Sequence, residues 1–194
     1  DAGELEAAVE TYGRVLERAP AYLGAALNLG VSLEKLSRYA DARAHYQDAV
    51  RRHPYQAELV HNLGVVLFHE KRLAAAEACY RRAVDLKPDY PEAWFHLGLV
   101  LEGLGRHGEA EAAHGRALAL RPDDADALAA LGQTLLSLGR IDDAIQRLEA
   151  ALAIDDQLLD AHLGLARGRL LAGELQAGWE EFAWRRERET WIGP

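Results

Sequence analysis

The chain has 194 residues, 49% hydrophobic and 27% charged, enough apolar material for a substantial buried surface. A net charge of −9 and an isoelectric point near 5.4 argue against general nucleic-acid binding, which needs a basic footprint to displace counterions from phosphates. No apolar run is long enough to span a bilayer and no signal peptide opens the chain; the single cysteine, Cys79, cannot form an internal disulfide and fits a reducing cytoplasm.

Residues 1–22 carry Leu5, Ala8, Tyr12 and Leu16 at helical spacing and predict one helix at about residues 4–18. From there the sequence repeats. Leu-Gly pairs end at Gly30, Gly64, Gly98 and Gly132, each 34 residues after the last. Ala42, Ala76, Ala110 and Ala144 keep the same step, as do Ala49, Ala83, Ala117 and Ala151 and the prolines Pro20, Pro54, Pro88 and Pro122. Such a period denotes stacked units that bury a shared core rather than one central core. Within a unit, Ala26, Leu29, Gly30, Leu33 and Leu36 form one apolar helical stripe and Tyr39, Ala42, Tyr46, Ala49 and Val50 a second, so each unit is two amphipathic helices. Gly30 and Ala42 are small where two axes are expected to cross closely, with Tyr46 filling the wider part of the gap. Proline stops the second helix, because its ring clashes with the preceding turn and it lacks an amide donor.

The predicted units run 23–56, 57–90, 91–124 and 125–158, followed by a degenerate unit over 159–194. There Ala166 stands in the glycine column, Gly178 in the Ala42 column and Asp156 in the proline column. Trp179, Phe182 and Trp184 are expected to cap the stack, with Trp191 near the end. With no methionine anywhere, the chain reads as a fragment or a processed product. Its first helix lacks a partner, so apolar surface around Tyr12 and Trp191 is expected to favour association through the ends into a homo-oligomer.

The combination of Leu-Gly, a small residue, an aromatic, alanine and a closing proline resembles the tetratricopeptide repeat family. The resemblance covers nearly the whole chain. It implies an all-α, right-handed superhelical solenoid of antiparallel helix pairs that acts as a cytoplasmic, bacterial-like scaffold, with a protein or peptide ligand in a concave groove lined by the first helix of each unit. The ending Gly178-Trp179, Phe182, Trp184-Arg185 also resembles the last repeat of bacterial arrays that precede a glycosyltransferase-like domain, which would make the chain the substrate-docking part of a larger enzyme.

On that groove the residues singled out as partner-binding are Asn28, Val31, Asn62, Val65, Phe68, Phe95, His96 and Leu99. Asn28 and Asn62 stand one period apart and resemble the stacked asparagines with which some family members hold a peptide backbone, an amide offering both donor and acceptor. The column continues as His96, Ala130 and Gly164. Another column, Glu58, Glu92, Asp126 and Asp160, predicts an acidic rim, although carboxylates in a first helical turn also complement the helix dipole. The carboxylate clamp of co-chaperone members is missing, since Leu27 and Val31 occupy its first pair and Glu92 and His96 its last. No catalytic constellation, cofactor motif or metal-ligand set appears, and His61, His69 and His96 read as solvated groove histidines. The expectation is therefore a binding protein without enzymatic turnover, cofactor, nucleic-acid partner or membrane partner.

Overall fold

A computed structural model describes residues 2–189, with side chains to residue 183. The described residues form eleven α-helices and no strand. In chain order they are α1 (Ala2–Arg18), α2 (Leu23–Lys35), α3 (Tyr39–Arg52), α4 (Ala57–His69), α5 (Leu73–Leu86), α6 (Pro91–Gly103), α7 (His107–Leu120), α8 (Ala125–Ser137), α9 (Ile141–Ile154), α10 (Leu159–Leu171) and α11 (Leu175–Glu189). They divide into two compact units, Asp1–Val100 and Leu101–Pro194.

In the first unit α2 packs on α1, α3 and α4, and α4 packs on α5. Ala42 and Ala76 are fully buried, as are the rings of Tyr46 and Tyr80. The glycine column has a different partner from the one its sequence suggests. A side chain on Gly30 would run into the Tyr46 ring, and a Cβ on Gly64 would lie 2.7 Å from Cε1 of Tyr80. The tyrosine lies directly on the glycine rather than beside the crossing, because a buried ring needs a flat partner and only glycine offers bare backbone.

In the second unit the same contact is made without an aromatic ring. A Cβ on Gly132 would lie 2.6 Å from Cγ of Leu148, and Ala144 and Ala151 are buried with it. Between α10 and α11 the small residue changes helix: Gly178 receives Leu170, whose Cγ would be 2.7 Å from an added Cβ, while buried Ala166 takes the glycine column. Polar contacts hold this last pair together. His162 Nδ1 meets the Glu181 carboxylate at 2.7 Å, and Arg169 bridges Glu181 at 2.9 Å and Glu149 at 3.0 Å. Trp179 does not close the core as expected; it is 64% exposed with its ring beside half-buried Phe182. The Trp184 side chain and Trp191 lie outside the described residues.

The turn from first to second helix recurs at one column, Ser37, Lys71, Gly105, Gly139 and Gly173, and all five have positive φ. In each, the following amide reaches back to the first helix, as in Arg38 N to Leu33 O and Arg106 N to Leu101 O, both 2.9 Å. Three positions have the residue suited to left-handed backbone; Ser37 and Lys71 adopt it with a Cβ, which costs about 1–2 kcal/mol. Ser37→Gly and Lys71→Gly are therefore expected to stabilise the protein by about 1 kcal/mol each. The check is the denaturant midpoint, which should rise at constant slope.

Candidate functional site

Three columns of the repeat meet at one place: a position in the last turns of the first helix, the aromatic position of the second helix, and the asparagine position of the next unit's first helix. Their first occurrence is Glu34, Tyr46 and Asn62. Tyr46 Oη donates to Glu34 Oε1 at 2.7 Å, and Asn62 Nδ2 donates to Tyr46 Oη at 3.2 Å. The series continues beyond the triad. Asn62 Oδ1 faces His61 Nδ1 at 3.0 Å, His61 Nε2 faces His96 Nδ1 at 3.1 Å, and His96 Nδ1 lies 2.8 Å from the carbonyl oxygen of Glu92.

One proton arrangement satisfies every member. The Glu92 carbonyl can only accept, so His96 Nδ1 carries hydrogen and is shared with His61 Nε2. His61 then carries its proton on Nδ1 and donates it to Asn62, whose amide donates to Tyr46, whose hydroxyl donates to Glu34. Both imidazoles are neutral. The chain of bonds links α6, α4, α3 and α2 of the first unit and ends on a carboxylate.

The second occurrence of the three columns is Phe68, Tyr80 and His96. With phenylalanine in place of the carboxylate and imidazole in place of the amide, Tyr80 Oη is buried without a hydrogen-bond partner. The ring is 0% exposed and stacks on His96 at 5.5 Å between centroids, while His61 leans on Tyr80 and on Tyr90 at 5.6 and 5.0 Å. In the second unit the carboxylate returns as Glu102, accepting from Thr134 Oγ1 with His114 Nε2 3.8 Å away. The columns then turn apolar with Leu136, Leu148 and Gly164.

Burial drives the electrostatics of this cluster. His61, 6% exposed, is pushed down to about 4 by desolvation and then by neighbouring His96, and His96 is lowered mainly by its own burial. Burial raises Glu34, offset in part by the Tyr46 hydrogen bond, and raises the Tyr46 phenol, which also faces the Glu34 charge. Among the described residues Glu34 forms no ion pair.

The structure distributes the sequence-predicted residues unevenly. Asn28 and Val31 on α2 are open to solvent, Val31 being 37% exposed. Val65 and Phe68 on α4 and Phe95, His96 and Leu99 on α6 are half-buried. Asn62 is not free of structural contacts: its amide is engaged by Tyr46 and His61, because a buried phenol and a buried imidazole both need a polar partner. Nor are the histidines simply solvated. His61 is buried, His96 is bonded to it, and His69 stacks on Tyr39 at 4.8 Å. Glu58 in the acidic column is paired with Lys87 at 2.9 Å, which lowers its pKa. The part played by Glu34 and the Tyr46 hydroxyl is not among the sequence expectations; its one signal is tyrosine in a column that also accepts leucine and phenylalanine, which marks a hydroxyl needing its own partner. Among the described residues no group of three or more His, Cys, Asp or Glu side chains is placed to hold a metal ion, and no helix is long and apolar enough to cross a membrane.

The family model described as Cilia and flagella-associated protein 70 C-terminal domain matches residues 1–190. Among solved structures, a crystal structure of MamA protein superposes with a TM-score of 0.70 at 26% identity, over 80% of this chain and 85% of that one. A crystal structure of YrrB, described as a TPR protein with an unusual peptide-binding site, gives 0.74 at 20% identity, over 89% of each chain. MamA from Desulfovibrio magneticus RS-1, from residue 41 to its end, gives 0.76 at 16% identity, over 96% and 98%. The last two show the fold alone. No curated protein sequence matches the chain.

Two outcomes are expected from the hydrogen-bond chain. Tyr46→Phe removes a donor to a carboxylate and an acceptor for Asn62 and should cost about 1–3 kcal/mol, whereas Tyr80→Phe removes an unpartnered hydroxyl and should be neutral or stabilising. Equal losses in the two denaturation curves would contradict the assignment. The second concerns pH. His61 has a folded value below its ordinary 6.5, so its neutral burial supports stability fully above that value and the support is lost as pH falls toward about 4. Glu34, raised in the fold, acts in the opposite sense and offsets part of the loss near the bottom of that range. Melting temperature should fall between about pH 7 and 5, and His61→Phe should flatten the fall.

Proposed function

The chain belongs to the family of the Cilia and flagella-associated protein 70 C-terminal domain, a tetratricopeptide repeat family, and on that premise we propose that it binds an extended peptide segment of a partner protein across the face of α2, α4 and α6 in its first unit. The observation that supports this reading is that these three helices carry apolar groups open or half-open to solvent, Val31, Val65, Phe68, Phe95 and Leu99, together with polar groups held by hydrogen bonds within the chain, Asn62 and His96. Apolar contacts in register can bury alternate side chains of a strand, while Asn28, exposed at the edge, offers an amide to its backbone.

The preorganised bonds matter for affinity. A side chain already locked by its neighbours loses no further freedom when a ligand docks, so the cost of ordering the site has been met by folding. His96 contributes as a surface rather than a bridge: its Nδ1 is used within the chain, which leaves Nε2 as an acceptor for a ligand N–H. In this reading the protein is a scaffold without turnover, and the second unit, where the polar columns give way after Glu102 and His114 to alanine, leucine and glycine, contributes less to recognition.

The test uses random linear twelve-residue peptides displayed on phage and panned on the protein, with selected sequences measured by fluorescence anisotropy. An Asn28→Ala, Val31→Ala double variant should weaken them by about tenfold, the sum of one neutral hydrogen bond and a small apolar contact. Its melting temperature should stay near the parent's, since both positions are exposed. Unchanged affinity in this variant and in Phe95→Ala would move the site off this face.

A further inference from the structure

Glu34 stands out among the carboxylates of the first unit. It is half-buried, one oxygen accepts from Tyr46, and among the described residues no Lys, Arg or His forms an ion pair with it, Lys35 beside it included. Other acidic groups nearby are matched: Glu58 with Lys87 at 2.9 Å, Glu70 with Arg43 at 3.0 Å, Asp41 with Arg38 at 2.8 Å. A carboxylate ordinarily sheds such an environment by pairing or by moving into water. Glu34 is held in place by the run of bonds from His96, in which each member donates toward the carboxylate.

From this geometry we infer that Glu34 is the anchor for a cationic side chain of the bound segment, a lysine or arginine that reaches Oε2 while Oε1 stays with Tyr46. The inference rests on the peptide-binding reading above and adds the chemistry of the ligand. Three observations support it. Glu34 lies one helical turn from exposed Val31, on the edge of the same face, so a segment crossing Asn28 and Val31 passes over it. The chain as a whole carries −9, which favours approach of a basic segment. Burial holds the Glu34 carboxyl above its ordinary value, as expected of a site completed by a positive charge.

The columns say where the anchor is and is not repeated. One period on, Phe68 replaces the carboxylate and Tyr80 loses its partner, so the second position along the face takes an apolar group. A bound segment therefore presents a cation over α2 and an apolar side chain toward α4. A peptide strand rises about 3.3 Å per residue and alternates its faces, so cation and apolar group are expected two or four residues apart.

Panning the same twelve-residue library on the wild-type chain should enrich lysine or arginine at one aligned position with an apolar residue two or four away. For a selected peptide, Lys→Gln should weaken binding about tenfold or more on the wild type, the scale of a charge-assisted hydrogen bond, and less than about twofold on Glu34→Gln. Glu34→Gln keeps an acceptor for Tyr46, so the fold is preserved, and an unshifted melting curve verifies it. Peptides that lose affinity with the Asn28, Val31 variant yet show no basic enrichment, or no coupling to Glu34, overturn the anchor and leave the groove standing. A library that yields no binder, or binders indifferent to Asn28 and Val31, overturns the groove reading and the anchor with it.

Discussion

A buried ring or branched side chain seated on bare glycine backbone is the contact on which the helix pairs depend. Gly30 under Tyr46, Gly64 under Tyr80 and Gly132 under Leu148 occupy one column, and in each case the space an added Cβ would need is already filled by the neighbour. Close approach at that point brings the paired alanines, Ala42, Ala76 and Ala144, into full burial. Dispersion falls off steeply with separation, so a gap there would forfeit contact along the whole pair. The last pair obeys the same rule with its parts exchanged, Gly178 receiving Leu170 and Ala166 standing where glycine did before.

The choice of residue on the glycine decides what else the repeat can do. Tyrosine brings a hydroxyl into a buried position, and a buried hydroxyl requires partners. Glu34 and Asn62 provide them in the first case and extend the requirement to His61 and His96. Phe68 and His96 do not provide them in the second, and Tyr80 retains its ring contacts alone. Leucine in the same column asks for nothing, and the surrounding positions at Leu136 and Gly164 are apolar or bare. Polar identity on the open face thus follows from a packing choice in the core.

Much of this was legible in the periodicity. Glycine and alanine recur where two helices leave room only for a small residue, and proline recurs where the second helix stops, so their spacing indicates helix pairs without reference to any contact. The turn column was only half legible. Gly105, Gly139 and Gly173 announce left-handed backbone, but Ser37 and Lys71 adopt it against their own preference because the adjoining helices impose it. The site was less legible still. Asn28 and Asn62 belong to one column and look equivalent, yet Asn28 is open while Asn62 is engaged by groups 16 residues before it and one residue before it. A period identifies positions, and which neighbour a polar tip meets depends on three columns at once.

The protonation state of the two imidazoles tests the hydrogen-bond chain most directly. Nitrogen-15 chemical shifts of His61 and His96, assigned through His61→Phe and His96→Phe and recorded near neutral pH, report which ring nitrogen carries hydrogen. Two neutral rings are expected, each protonated at Nδ1, with the His96 signal shifting when Tyr46→Phe interrupts the bonds toward Glu34. An imidazolium at either position, or a ring protonated at Nε2 in either, would contradict the directed chain from His96 to the Glu34 carboxylate.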